Sequence, residues 1–371
     1  MSCIRRLLIQ NFRNLEYVDI SPNNHINLIF GENGSGKTSI LESIYFLSTA
    51  KSFKTSDSAS MIRKNCTELT TFSEVKCQNL SQQVGIRKPV RGKKQIRIND
   101  TNSGKLKDLA QVIPSQIITI NSYKLFTEGP NARRSFIDKG LFHVDPSYQS
   151  LWSKFQSALK QRNAALKTKC SRENIQSWDS SLCQFAEALN AKRRSYIKEI
   201  TPIINKLSTE LLPDHPIIRI NFKQGWDESA KLHEQLVNNL ERDLILGHTT
   251  VGPHKADIQV CIENSTLIKD HLSQGQLKLT AYAMHLAQCD HLSMGHQKNY
   301  AVLIDDLTAE LDESSVQRVV SLLTKRPGQH FITIINPNNI TPLLKKLSVP
   351  YQMFHMEHGK CMPVDKTVSN P

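Results

Sequence analysis

Gly31-Glu32-Asn33-Gly34-Ser35-Gly36-Lys37-Thr38 fits the pattern G-x-x-x-x-G-K-[ST]. Glycines at this spacing let successive backbone N–H groups curl around phosphate oxygens. The lysine neutralises their charge and the threonine hydroxyl suits a Mg2+ ion. The chemistry expected of these residues is capture of the phosphates of ATP together with Mg2+. The flanks agree. His25–Phe30 is apolar and β-prone, and Ile40, Leu41, Ile44, Tyr45 and Leu47 recur at helical spacing over Lys37–Leu47. A glycine-rich turn without phosphate chemistry does not need that strand, loop and helix order.

A second group of acids stands far downstream. Ala301-Val302-Leu303-Ile304-Asp305-Asp306 reads as an apolar strand ending in two carboxylates, the place at a sheet's edge where an acid meets a nucleotide. Asp305 is expected to meet Mg2+ alongside Thr38, directly or through a water, and Asp306 to orient the water that attacks the terminal phosphate. The competing reading is a strand cap with two solvated acids. Thr333, in Phe331-Ile332-Thr333-Ile334, is at best a weak γ-phosphate sensor, because no histidine follows it.

Leu272-Ser273-Gln274-Gly275-Gln276 opens a helix that continues through Leu279, Tyr282, Ala283 and Leu286, and it resembles the signature sequence of ABC-type ATPases. Ser273, Gly275 and Gln276 at a helix N-terminus are suited to a γ-phosphate. In the superfamily they grip the partner subunit's nucleotide, which implies a dimer. Ala309-Glu310-Leu311-Asp312 resembles the D-loop that crosses such an interface. Asp312 equally suits a cap on the next helix, and both roles stand open.

These motifs need elements to hold them. Cys3–Phe12, Glu16–Ile20 and His25–Phe30 read as strands, and Leu69–Ile98 as hairpins around the basic turn Lys88–Lys94. From about Asn131 to Leu212 the pattern becomes helical, interrupted near Lys169–Asn174 and closed by Pro213 and Pro216. Strand candidates return at Ile258–Ile262, Tyr300–Ile304 and His330–Ile335. The fold class expected is α/β, an ABC/SMC-type head formed by residues 1–128 and 236–371 with a mainly helical lobe, 129–235, inserted into it. The helices are too short for the long arms of chromosome-organising SMC proteins, and transporter ATPases lack such a lobe.

Lys plus Arg total 47 against 34 for Asp plus Glu, a formal charge of +13 that suits a polyanion. The clusters that offer phosphate contacts are Lys88, Arg91, Lys93 and Lys94, then Arg133 and Arg134, then Lys192, Arg193 and Arg194. The same clusters also suit solvated faces. The eight cysteines are scattered without a C-x-x-C pair, as reduced thiols are. His355, His358 and Cys361 are spaced three apart, but the segment reads as a strand, where that spacing alternates faces, so no zinc site is expected. No run approaches the roughly 18 apolar residues of a membrane span, and a cytoplasmic protein is expected.

The order of these motifs is similar to that of SMC-type heads, and five further stretches narrow the resemblance to the RecF family: LLIQNFRNL at Leu7–Leu15, AKSFKTS at Ala50–Ser56, RRSFIDKGLF at Arg133–Phe142, Gln161-Arg162-Asn163, and Val251–Lys255. The resemblance implies a weak, DNA-stimulated ATPase that dimerises on ATP and binds single- and double-stranded DNA at gapped junctions. It further implies cooperation with RecR and RecO in loading RecA during repair. The alternative is another SMC-like scaffold or DNA-organising ATPase with no RecA-loading role. This chain departs from the family at Asn121-Ser122-Tyr123, where a Ser-Pro-acidic turn is usual, and at Gln274, where an arginine is frequent.

Overall fold

The computed structural model describes residues 2–77, 80–99, 101–102, 106–214, 216–262, 266–296, 300–309 and 311–364. The chain forms two compact units: Met1–Ser122 with Glu210–Pro213 and Lys278–Pro371, and Tyr123–Thr209 with Asp214–Leu277.

The first unit is α/β. One six-stranded sheet has the order β2-β1-β4-β5-β6-β7, with β1 Ser2–Phe12, β2 Leu15–Ile20, β4 Glu68–Cys77, β5 Leu80–Pro89, β6 Gln95–Ile98 and β7 Thr101–Asn102. The other has the order β14-β13-β3-β12-β11-β8. Its strands are β3 Ile26–Phe30, β8 Ser115–Ile118, β11 Ala301–Ile304, β12 Gln329–Ile334, β13 Tyr351–Glu357 and β14 Lys360–Val364. In this second sheet β13, β3, β12, β11 and β8 all run parallel. Parallel strands covered on both faces carry apolar runs, as Ala301-Val302-Leu303-Ile304 does; Gln329–Ile334 is also buried throughout, although Gln329, His330 and Thr333 are polar. Helix α1, Lys37–Thr49, lies between the two sheets and touches strands of each. It is therefore buried almost all round rather than along one stripe. Phe12, Phe46, Phe331 and Phe354 belong to the core that surrounds it, so the helix behind the phosphate loop cannot shift without opening the core. Helices α2 Leu106–Val112, α11 Glu313–Thr324 and α12 Thr341–Lys346 complete the unit, and α10, Gln274–His296, enters it at Lys278.

The second unit is mainly helical. It holds α3 Lys124–Thr127, α4 Pro130–Val144, α5 Tyr148–Lys167, α6 Arg172–Gln176, most of α7 Asp179–Leu211, α8 Leu232–Asn238 and α9 Leu240–Leu246. The break expected near Lys169–Asn174 is where α5 ends, with Lys169 left-handed at φ 51°. Strands β9 Arg219–Lys223 and β10 Asp257–Cys261 form a two-stranded sheet of their own among the described residues, and β10 packs against α4. The strand at Ile258–Ile262 therefore does not join the sheets of the first unit, and the second unit runs on to Leu277.

One strand reading is corrected. Residues 355–361 are not a single strand, because the chain reverses at His358 and Gly359, both at positive φ, and sets Met356 opposite Cys361.

Candidate nucleotide site

The phosphate loop leaves β3 at Phe30 and enters α1 at Lys37. Its cap residue Gly36 is left-handed at φ 114°, no side chain caps the helix, and the first turn holds no acid. Uncapped N–H groups at a helix N-terminus are an anion site. Gly31 is required as glycine by geometry, since a Cβ there would stand 2.2 Å from the Met356 carbonyl oxygen. Gly34, by contrast, opens on free space. Lys37 is only 7% exposed, and its Nζ donates to the carbonyls of Gly31 at 2.7 Å and Glu32 at 2.9 Å. Burial pulls its pKa below the ordinary lysine value, and the nearby Asp306 and Asp305 carboxylates oppose that pull.

Strand β11 delivers the acids to this helix, and β12 delivers Thr333. Thr38 Oγ1 donates to Asp305 Oδ1 at 2.9 Å, and so does Thr333 Oγ1 at 2.9 Å. Thr333 Oγ1 in turn accepts the Asp306 backbone N–H at 2.7 Å. Thr38 and Thr333, from opposite ends of the chain, thus share one carboxylate oxygen of Asp305, and Asp305 itself lies 267 positions from Thr38. Thr38, Asp305, Asp306 and Thr333 are brought together beside Lys37. Thr333, singled out as a γ-phosphate sensor, is fully buried, and its hydroxyl holds the two aspartates in place. Asp306 sits at φ 58°, in the left-handed region that few residues other than glycine, asparagine and aspartate enter. Its Oδ1 is buried without a hydrogen-bond partner among the described residues. Burial raises its pKa, the Asp305 charge raises it further, and Lys37 pulls the other way. Tyr282 of α10 is buried near both acids, and burial lifts its phenol well above the usual value. Helical periodicity marked Tyr282 only as an apolar position.

Ser273 precedes α10 as its cap, in the second unit. Its N–H donates to Gln276 Oε1 at 2.9 Å, and Gln276 N–H donates to Ser273 Oγ at 3.3 Å. This reciprocal pair is a capping box. Ser273 and Gln276 are exposed, and nothing stands within 4 Å of the position a Gly275 Cβ would take. Asp312 caps α11, accepting from Ser315 N–H at 2.9 Å and from the Ser314 and Ser315 hydroxyls. These bonds hold its carboxyl far below the ordinary range. Glu310 lies outside the described residues.

The family described as RecF/RecN/SMC N terminal domain matches residues 3–361. A protein named DNA replication and repair protein RecF from Shewanella denitrificans is 38% identical over 98% of this chain and 99% of its own length. The chain belongs to the RecF family. A RecF from Pseudoalteromonas translucida is 39% identical over 96% of this chain and 98% of its own. Among solved structures, one described as the recombination mediator protein RecF-ATP in the RecFOR pathway superposes with a TM-score of 0.86 at 22% identity, covering 98% of each chain. An Smc head domain of Pyrococcus furiosus reaches 0.60 at 16% identity, covering 99% of this chain and 97% of its own. The fold class read from the motif order is that of the RecF family and its SMC relatives. Among the described residues no helix is long and apolar enough to cross a membrane.

The RecF stretches in the second unit meet in a buried charge network. Arg162 bridges Asp179 at 2.7 Å and Asp243 at 2.7 Å with all three side chains inaccessible. Arg193 grips both oxygens of Asp138 at 2.9 Å and donates to the Pro253 carbonyl at 2.8 Å. Arg133 pairs with Asp257 at 2.8 Å, and Arg134 donates to the Ala256 carbonyl and to Asn131. The DNA-contact expectation is corrected for Arg193, which is 3% exposed with its donors engaged inside the unit, and for Lys88, which is buried and donates to the Pro89 and Gly92 carbonyls. Lys94 is held on the Ala50 carbonyl and Lys192 on Asp145. Arg91, Lys93 and Arg194 are exposed, the last beside Glu228 and over the Phe222 ring.

Proposed function

We propose that this chain is an ATP-dependent mediator of DNA repair. It binds ATP on Gly31–Thr38 and closes on a second copy whose Ser273, Gly275 and Gln276 grip the same nucleotide. While closed it holds DNA at junctions of single and double strand, and it works with RecR and RecO to load RecA. The observation that carries this reading is the convergence of Thr38, Asp305 and Asp306 on the phosphate-loop lysine. Thr38 Oγ1 and Asp305 Oδ1 form a hard-oxygen pair that fits Mg2+, which when bound neutralises phosphate charge. Lys37 and the N-terminus of α1 bind and orient the phosphates, and Asp306 accepts the proton of the attacking water. Its short side chain and buried, unpartnered oxygen favour slow turnover, with hydrolysis releasing the dimer.

The test is light scattering on the purified chain with and without ATP and gapped DNA. A dimer that needs ATP and retains gapped DNA supports the reading, and a mass indifferent to ATP sinks it. The short reach of Asp306 also favours a second reading, an SMC-like scaffold in which ATP only holds the dimer. Single-turnover hydrolysis decides between them, since a scaffold leaves its ATP intact.

A further inference from the structure

Two neighbouring carbonyls of the phosphate loop are held from outside it, by turns from opposite ends of the chain. Asn14, in the turn between β1 and β2, donates from Nδ2 to the Gly34 carbonyl at 3.2 Å, and its Oδ1 accepts from Ser39 Oγ at 2.9 Å. Gly359, in the turn between β13 and β14, donates its N–H to the Ser35 carbonyl at 3.0 Å. The two turns also touch each other: a Cβ on Gly359 would stand 2.4 Å from the Asn14 carbonyl oxygen, and Gly359 is left-handed at φ 78°. Met356 closes the same side, its carbonyl 2.2 Å and its Cε 3.1 Å from where Cβ atoms on Gly31 and Gly36 would lie.

A trans peptide points its C=O and its N–H in opposite directions. Fixing the Ser35 carbonyl on Gly359 therefore aims the Gly36 N–H away from the hairpin, toward the side on which α1 begins and phosphate binds. We infer that Asn14 and Gly359 form a two-point clamp that orients the phosphate-loop peptides for ATP, making both of them positioning residues for its phosphates. The inference rests on the ATP-binding reading above. Parallel pairing of β13 with β3, which sets His355 beside Phe30, explains the delivery: β13 runs on past the end of β3, and its hairpin turn arrives under the loop.

The test measures Mg-ATP affinity by calorimetry on the full chain, beside the thermal midpoint without nucleotide. Asn14→Ala and Gly359→Ala are each expected to weaken ATP binding by about tenfold, the worth of one lost or displaced hydrogen bond. Lys37→Ala serves as the control that loses binding. Clamp variants that bind as wild type while Lys37→Ala does not would overturn the inference and leave the ATP site intact. So would a lower midpoint with unchanged affinity in the folded fraction, which is what a purely structural role gives. Should Gly359→Ala fail to fold, Asn14→Ala decides alone, because it only removes atoms. If Lys37→Ala also binds as wild type, the site assignment falls and the clamp with it.

Discussion

Asp306 is held by the chain in a conformation that suits one task. Its backbone N–H is tied to Thr333, its φ is positive and one carboxylate oxygen lacks a partner among the described residues, which suits the proposed task of meeting a water beside the γ-phosphate. Asp306→Asn is expected to bind ATP and dimerise while hydrolysis falls by about a hundredfold or more, the usual worth of a positioned base. Single-turnover assays check this, and wild-type turnover would place the base elsewhere. Burial raises the Asp306 pKa in the nucleotide-free chain, and the base must be ionised, so the acid limb of the kcat/KM–pH profile is expected above the ordinary aspartate range. His330 and His254 give a separate pH effect. Burial lowers them to about 3 and about 4. A depressed folded pKa means that stability present above the unfolded value, about 6.5, is lost as pH falls toward the folded one. The thermal midpoint is expected to drop between pH 7 and pH 4, and His330→Gln to flatten that drop.

At the scale of elements, the N-terminus of α10 is the piece whose proposed role depends on a second copy. Ser273 and Gln276 cap it reciprocally and both face solvent. Ser273→Arg is expected to leave ATP binding by the monomer intact and to abolish the ATP-induced dimer, since a long cation would stand where the neighbour's phosphate must dock. Normal dimerisation of this variant in light scattering would defeat the shared-site reading. The cap of α11 gives a contrast. Asp312→Ala removes bonds from Ser314 and Ser315 and is expected to cost about 1 kcal/mol of stability, read from denaturant unfolding. Hydrolysis reduced beyond what that loss explains would add the D-loop role to the capping one.

For the whole molecule, the proposed DNA binding by a chain with an excess of +13 charges is expected to act by counterion release, weakening steeply with salt and indifferent to sequence. The exposed cations are the ones to neutralise. Arg91, Lys93 and Arg194 changed to Gln should each flatten the slope of log K against log salt by roughly one unit if they meet phosphates. Arg193→Gln is expected to act on folding instead. It strands Asp138 among buried groups, and breaking a buried pair costs about 3–5 kcal/mol. A salt slope altered by Arg193→Gln at unchanged stability would reverse that assignment.

Much of this was legible in residue order. The spacing of Gly31 to Thr38 between an apolar strand and an amphipathic run needs only local geometry, and the double acid after Ala301–Ile304 follows from strand burial. Local rules of that kind survive without knowing what lies across the sheet. Whether a charged side chain faces water does not, because it depends on partners distant in sequence. Lys88 and Arg193 look like solvent-facing cations in the sequence, yet Arg193 is enclosed by Asp138 and by Pro253, 60 residues away. Thr333 stood out only as the residue in a switch position, and the neighbouring strand β11 turned it into the brace of Asp305 and Asp306. Asn14 and Gly359 carry no signal that links them. Only the parallel register of β13 on β3 brings the last hairpin under the first loop, because a sheet joins strands by hydrogen bonding rather than by their order along the chain.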